Sequence, residues 1–120
     1  MGDAPTARTW ESFALGDRYP TDAITVTETH VVNWASLTGD WVPLHVDAEY
    51  AAGSAFGQRV AHGPLTLSLA LGLGTRTAIF GDSVIAWLGL DDVRLPRPVF
   101  CGDTIRVVIE VTESRPTSKA

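Results

Sequence analysis

Two short pieces of this chain carry residues that can do chemistry. The first, Thr38-Gly39-Asp40-Trp41-Val42-Pro43-Leu44-His45-Val46-Asp47, puts a carboxylate and an imidazole five residues apart on a segment stiffened by Pro43. The second, Ala61-His62-Gly63-Pro64, stands at the start of a strongly apolar run. An Asp and a His that face one cleft can hold a water molecule between them, one taking a proton while the other supplies one. A glycine amide in the first turn of a buried helix has no Cβ in its way and the positive end of the helix dipole behind it. It can therefore point at an oxygen that is gaining negative charge. Base, acid and oxyanion donor together suit addition of water across a double bond beside a carbonyl.

Read singly, the pieces are ordinary. An Asp after a helix-terminal Gly is common in turns, and a lone loop histidine is usually polar surface. His62-Gly63-Pro64 also reads as plain helix-opening chemistry, with His62 bonding the loop. Arg94 and Arg97 lie around a proline turn, where guanidinium groups bind phosphate or are simply solvated. Cys101 has no histidine near it in sequence and reads as a small packed residue rather than a nucleophile. Trp34 and Trp87 read as core, His30 as helix surface, and Trp41 as a residue that can wall a pocket.

The elements that must position these groups follow from local pattern. Residues 1–18 read as an irregular lead-in, with a turn at Gly16-Asp17. Tyr19–Val26 reads as a short strand. Thr27 caps a helix on which Val31, Trp34, Ala35 and Thr38 recur at helical spacing, and Gly39 stops it. Asp40 thus begins the loop after that helix. Asp47 can cap a second short helix, with Glu49 in its first turn. Pro64 suits the first turn of a third helix over residues 63–79, whose leucines at 65, 67, 69, 71 and 73 fall on both faces, so it should be buried on most sides. Val84–Leu90 reads as a strand that Asp91–Leu95 continues, until Pro96 and Pro98 break the pattern. Gly102-Asp103 is a turn, Thr104–Thr112 a strand, and the tail is polar and irregular. A long apolar helix followed by strands points to an α+β layout with an antiparallel sheet wrapped around the helix. Three strands are few to cover such a helix, so a partner subunit or a longer natural domain is expected.

The bulk properties narrow the function classes. The chain has 120 residues, enough for one domain, with 45% apolar and 19% charged residues and a formal net charge of −5. Nine scattered Lys and Arg argue against a nucleic-acid surface. The single cysteine leaves no disulfide framework and no cysteine-based zinc site. The N-terminus lacks the apolar core of a secretory signal, and the run around Leu65–Leu73 is too short to span a bilayer, so a cytoplasmic location without membrane contact is expected.

Three separated stretches, TGDWVPLHVDAEYA, FGQRVAHGPLTLSL and RLPRPVFCGDTIRVVIEV, resemble the MaoC-like, (R)-specific enoyl-CoA hydratase family, in its order and over about residues 20–113. The family motif Gly-Asp-x-Asn-Pro-x-His is matched by Gly39, Asp40, Pro43 and His45, its His-Gly by His62 and Gly63, and its Arg-Pro-Val-x-x-Gly-Asp by Arg97–Val99 and Gly102-Asp103. Val42 stands where the family has Asn. The resemblance implies a hotdog fold with residues 63–79 as the central helix. It implies Asp40 and His45 as the catalytic pair and the Gly63 amide on the thioester carbonyl. Trp41, Leu71 and Trp87 are expected to shape the acyl pocket, with His62 and Arg97 also binding substrate. The implied substrate is an acyl-CoA thioester, with no metal and no redox cofactor. The implied assembly is a homodimer, or a hetero-oligomer with another hotdog chain, with the thioester near the interface. The family continues beyond the strand matched by residues 104–113, so this chain is expected to lean on a partner or to be a piece of a longer domain. An assisting, non-catalytic hotdog subunit and an acyl-CoA thioesterase are the rival readings.

Overall fold

The computed structural model describes residues 9–77 and 79–116. The expectations for residues 1–8, for Ala78 and for the tail at 117–120 lie outside them. Ahead of the first strand, Trp10–Ser12 form one turn of 3-10 helix. The sheet is a narrow antiparallel ribbon in two pieces. Strand β1 (Arg18–Pro20) pairs with β4 (Val108–Glu110), setting Tyr19 opposite Ile109. Strand β2 (Ile24–Thr25) pairs with β3 (Thr104–Ile105), setting Ile24 opposite Ile105. The expected strands over Tyr19–Val26 and Thr104–Thr112 are therefore present but interrupted. Pro20 ends the first piece because it has no N–H to donate. Beyond it the Val107 amide turns to the Thr21 hydroxyl at 3.0 Å instead of a backbone carbonyl. Val26 closes the second piece, donating to the Asp103 carbonyl and accepting from the Gly102 amide. Gly102 turns the chain at φ 96°, a left-handed conformation open to glycine.

Helix α1 (Glu28–Thr38) starts and stops where the sequence signals lie. The Thr27 side chain accepts from the His30 amide, and His30 Nδ1 accepts from the Thr27 amide at 2.9 Å. His30, expected as plain surface, thus completes a reciprocal cap in the place usually held by Glu or Gln. Gly39 ends the helix at φ 80°. The stretch expected as a loop carries α2 (Pro43–Val46), a single turn with Pro43 at its start. Next comes α3 (Ala48–Ala52), where the Asp47 side chain accepts from the Tyr50 amide. The central helix, α4, spans Gly63–Thr75 and is shorter than the expected 63–79. A second 3-10 turn follows at Gly81–Ser83.

The core forms where α1, α4 and the β2–β3 piece meet. Val26, Val31, Ala61 and Leu65 are buried together, with Trp34, Leu69, Val99, Cys101 and Ile105 packed against them. Trp34 and Cys101 are thus core-facing, as expected. Toward its other end α4 reaches the β1–β4 piece: a Cβ added at Gly74 would lie 3.3 Å from Ile109 Cδ1. One helix therefore crosses both pieces of the ribbon, the central-helix arrangement expected from the pattern.

One expectation fails. Residues 84–95 form no strand; they are irregular, with a bend at Asp92 (φ 52°), and join no sheet among the described residues. Ile85 is 97% exposed, Leu88 90% and Trp87 62%, so Trp87 is not core. A strand is held by hydrogen bonds to a neighbour, and apolar content alone supplies none.

Candidate active site

Three side chains from three separate elements converge. Asp40 follows α1, His45 sits on α2, and His62 caps the start of α4. One carboxylate oxygen of Asp40 and one ring nitrogen from each histidine all lie within 4.8 Å of one another. Two hydrogen bonds of about 2.8 Å meeting at a water oxygen span about 4.6 Å, so a single water can bridge such a pair.

Local structure fixes each group. Gly39 turns the chain out of α1, and the Asp40 carboxylate accepts from the Val42 amide at 3.3 Å, tying down the turn. This bond comes from the backbone, so it needs no Asn side chain at position 42. Pro43 then starts the turn that lifts His45 toward the strap at Val60-Ala61. Val60 donates to the Leu44 carbonyl and Ala61 to the Val99 carbonyl, which pins the strap between α2 and the chain before β3. His45 Nδ1 lies 2.6 Å from the Val60 carbonyl oxygen. A carbonyl can only accept, so Nδ1 carries the proton and Nε2 the lone pair. The ring is thereby held in the tautomer in which its other nitrogen is free to act as a base.

His62 is only 1% exposed. By the same logic its Nε2 donates to the Asp40 backbone carbonyl at 3.0 Å, while its Nδ1 is buried with no partner. The two imidazoles stack, with centroids 3.8 Å apart and planes inclined by 28°. A carboxylate and two imidazoles are a donor set that suits a divalent cation. A cation, however, needs the in-plane lone pairs of both rings to converge, and in stacked rings they run side by side. The arrangement suits proton transfer better than ligation.

An open cleft of about 450 Å³ adjoins the trio, with His45, Gly63, Thr66, Phe56, Leu95 and Arg97 on its walls. Gly63 is the first residue of α4, so its amide belongs to the turn for which the helix provides no acceptor. The Leu95 side chain lies over Gly63: a Cβ there would sit 2.3 Å from Leu95 Cδ1, so any larger residue would have to push that side chain aside. Of the residues expected at the site, His45, Gly63 and Arg97 line this cleft. Asp40 and His62 gather around His45 without lining it. Trp41 and Leu71, 50% and 39% exposed, are off its walls, and so is Trp87. Phe56, Thr66 and Leu95 were not singled out from the sequence. Only Thr66 had a usable signal, one helical turn beyond Gly63. A larger cleft of about 560 Å³, lined by Trp10, Phe13, Tyr19 and Phe80 among others, includes none of the trio.

The chain is also similar to known proteins. The MaoC-like domain family matches residues 12–120. Protein MaoC of Klebsiella aerogenes is 40% identical over 103 residues, which cover 86% of this chain and 30% of that protein. The 3-hydroxyacyl-thioester dehydratase Z of Mycobacterium tuberculosis is 37% identical over 106 residues, 82% of this chain and 70% of the dehydratase. An R-hydratase of Pseudomonas aeruginosa, solved without ligand, superposes with a TM-score of 0.77 at 32% identity, covering 90% of this chain and 67% of that one. The chain thus spans under a third of the Klebsiella protein's length and about two thirds of the other two.

Proposed function

The chain belongs to the MaoC-like domain family, which has the hotdog fold, and from that premise and the site's geometry we propose that it hydrates trans-2-enoyl-CoA thioesters to (3R)-3-hydroxyacyl-CoA and catalyses the reverse dehydration. The observation that carries the reading is the grouping of the Asp40 carboxylate with a His45 ring whose Nδ1 is already committed to the Val60 carbonyl. Relatives named as hydratases and dehydratases support it.

In the proposed reaction His45 Nε2 takes a proton from water as the oxygen attacks Cβ. The electron pair of the double bond moves toward the thioester oxygen, where the Gly63 N–H stabilises the enolate. Asp40 orients the water, receives the proton from His45 and passes it to Cα as the carbonyl re-forms, so both groups end as they began. Arg97 at the cleft wall suits a phosphate of the CoA. No step calls for a metal or a redox cofactor. The thinly covered fold suits a working unit that is a homodimer or a pairing with another hotdog chain.

Loss of the enoyl thioester absorbance, with chiral analysis of the product, tests the reading. Asp40→Asn and His45→Ala should each lower kcat by about 10²–10⁴-fold while circular dichroism stays that of the parent chain. Near-normal turnover in both variants would remove the assigned roles. Val42 in the family's Asn position favours one rival, an assisting subunit without activity of its own. Turnover by the purified chain alone eliminates that rival, and release of free CoA from a saturated acyl-CoA would point to a thioesterase instead.

A further inference from the structure

We propose that His62 is a positioning residue that holds the acid–base pair in working order through its ring face and its Nε2–H, rather than by contact with substrate. It is one of the two largest fully buried side chains, and the one polar or charged residue among the buried described residues. It also touches every part of the site. Its Nε2 donates to the backbone carbonyl of Asp40, which fixes where the acid leaves α1. Its ring lies against that of His45 with centroids 3.8 Å apart, which blocks rotation of the base about its side-chain bonds. Its backbone is bonded directly to Gly63, the amide donor, and its carbonyl accepts from the Thr66 amide one turn into α4. Val42 already links Asp40 to His45 by its amide and carbonyl, and His62 adds the connection of both to the first turn of α4.

The unpartnered Nδ1 supports this use. A side chain kept only to fill space would be better as Leu or Phe, which leave no buried acceptor without a partner. The imidazole carries that cost and provides the one combination the site uses, a flat ring with a donor at its far end. Cleft geometry agrees, since His62 is absent from the wall on which His45 and Gly63 stand. The reach of small displacements is large: misplacing a reacting group by about 1 Å can cost about 100-fold in rate.

The inference rests on the hydratase reading for its kinetic test and on the His45 tautomer for a test that needs no turnover. His62→Phe keeps the ring and removes the donor, while His62→Gln keeps a donor at similar reach and removes the ring. His62→Phe should lower kcat on a short trans-2-enoyl-CoA by about 10–100-fold with KM within about threefold. His62→Gln should recover part of that loss. Nitrogen NMR of the labelled chain should show His45 as the single Nδ1–H tautomer in the parent and as a mixture of tautomers in His62→Gln, which lacks the stacking ring. An unchanged kcat in His62→Phe together with unchanged His45 signals in His62→Gln would overturn the inference. So would a loss confined to melting temperature with kcat and tautomer preserved. Should the parent chain prove inactive while the tautomer still scrambles, the hydratase reading falls and the positioning role stands.

Discussion

The segment from Val26 to Leu65 and the segment from Val84 to Leu95 are both rich in apolar residues, yet they meet opposite fates. In the first, Val26, Val31, Ala35, Ala51, Val60, Ala61 and Leu65 are buried, and the site is built on their backs. In the second, Val84, Ile85, Trp87, Leu88, Leu90, Val93 and Leu95 are all exposed by 48% or more. The difference lies in where backbone hydrogen bonds come from. Beyond their first turns, α1 and α4 satisfy their amides within the helix, so what remains to be covered is their apolar side chains. An extended segment needs a neighbour for its backbone as well as its side chains. The site-bearing segment has a buried core, although Leu37, Trp41, Val42, Tyr50 and Phe56 stay exposed, and none of the apolar side chains named in the 84–95 stretch is buried.

Substitutions separate the two regions most sharply in their cores. Leu65→Ala, at 4% exposure, should destabilise the chain by about 2–5 kcal/mol in urea unfolding. A loss below about 1 kcal/mol would mean that the site-bearing half is as loosely held as the other. Thr27→Ala removes one side of the reciprocal cap on α1 and should cost about 1 kcal/mol, with the loss read as reduced helicity and a lower midpoint. Ile85→Ser should shift the midpoint by no more than about 0.5 kcal/mol, because the side chain is already in solvent. A large loss there would show that residues 84–95 are covered in solution, and the contrast between the regions would dissolve.

Much of the local structure was legible in the sequence because its causes are local. Thr27, Gly39 and Asp47 cap or stop helices where their side-chain and backbone preferences place them. Gly102 turns the chain because it can reach positive φ. The α4 leucines announced the helix, but not its cover: it was expected to be buried on most sides, and only Leu65, Leu73 and Gly74 are buried. Other features were hidden. His30 gave no cap signal because Glu or Gln usually fills that place. The strand expected at 84–90 failed because pairing depends on a neighbour that a linear pattern does not specify. Within the site, Leu95 packing on Gly63 joins residues far apart in the chain, and nothing at either position marked the other.

What the sequence determined alone was the inventory: a carboxylate and an imidazole on one stiffened segment, a glycine at the first turn of an apolar helix, and the caps that frame them. Those follow from side-chain chemistry and short-range sterics, which act within a few residues. The tertiary structure decided which nitrogen of His45 is free, that His62 stacks on it and holds the Asp40 carbonyl, and which residues wall the cleft. Tautomer, stacking and cleft shape are set by contacts between groups distant in the chain, and only folding brings those groups within hydrogen-bond reach.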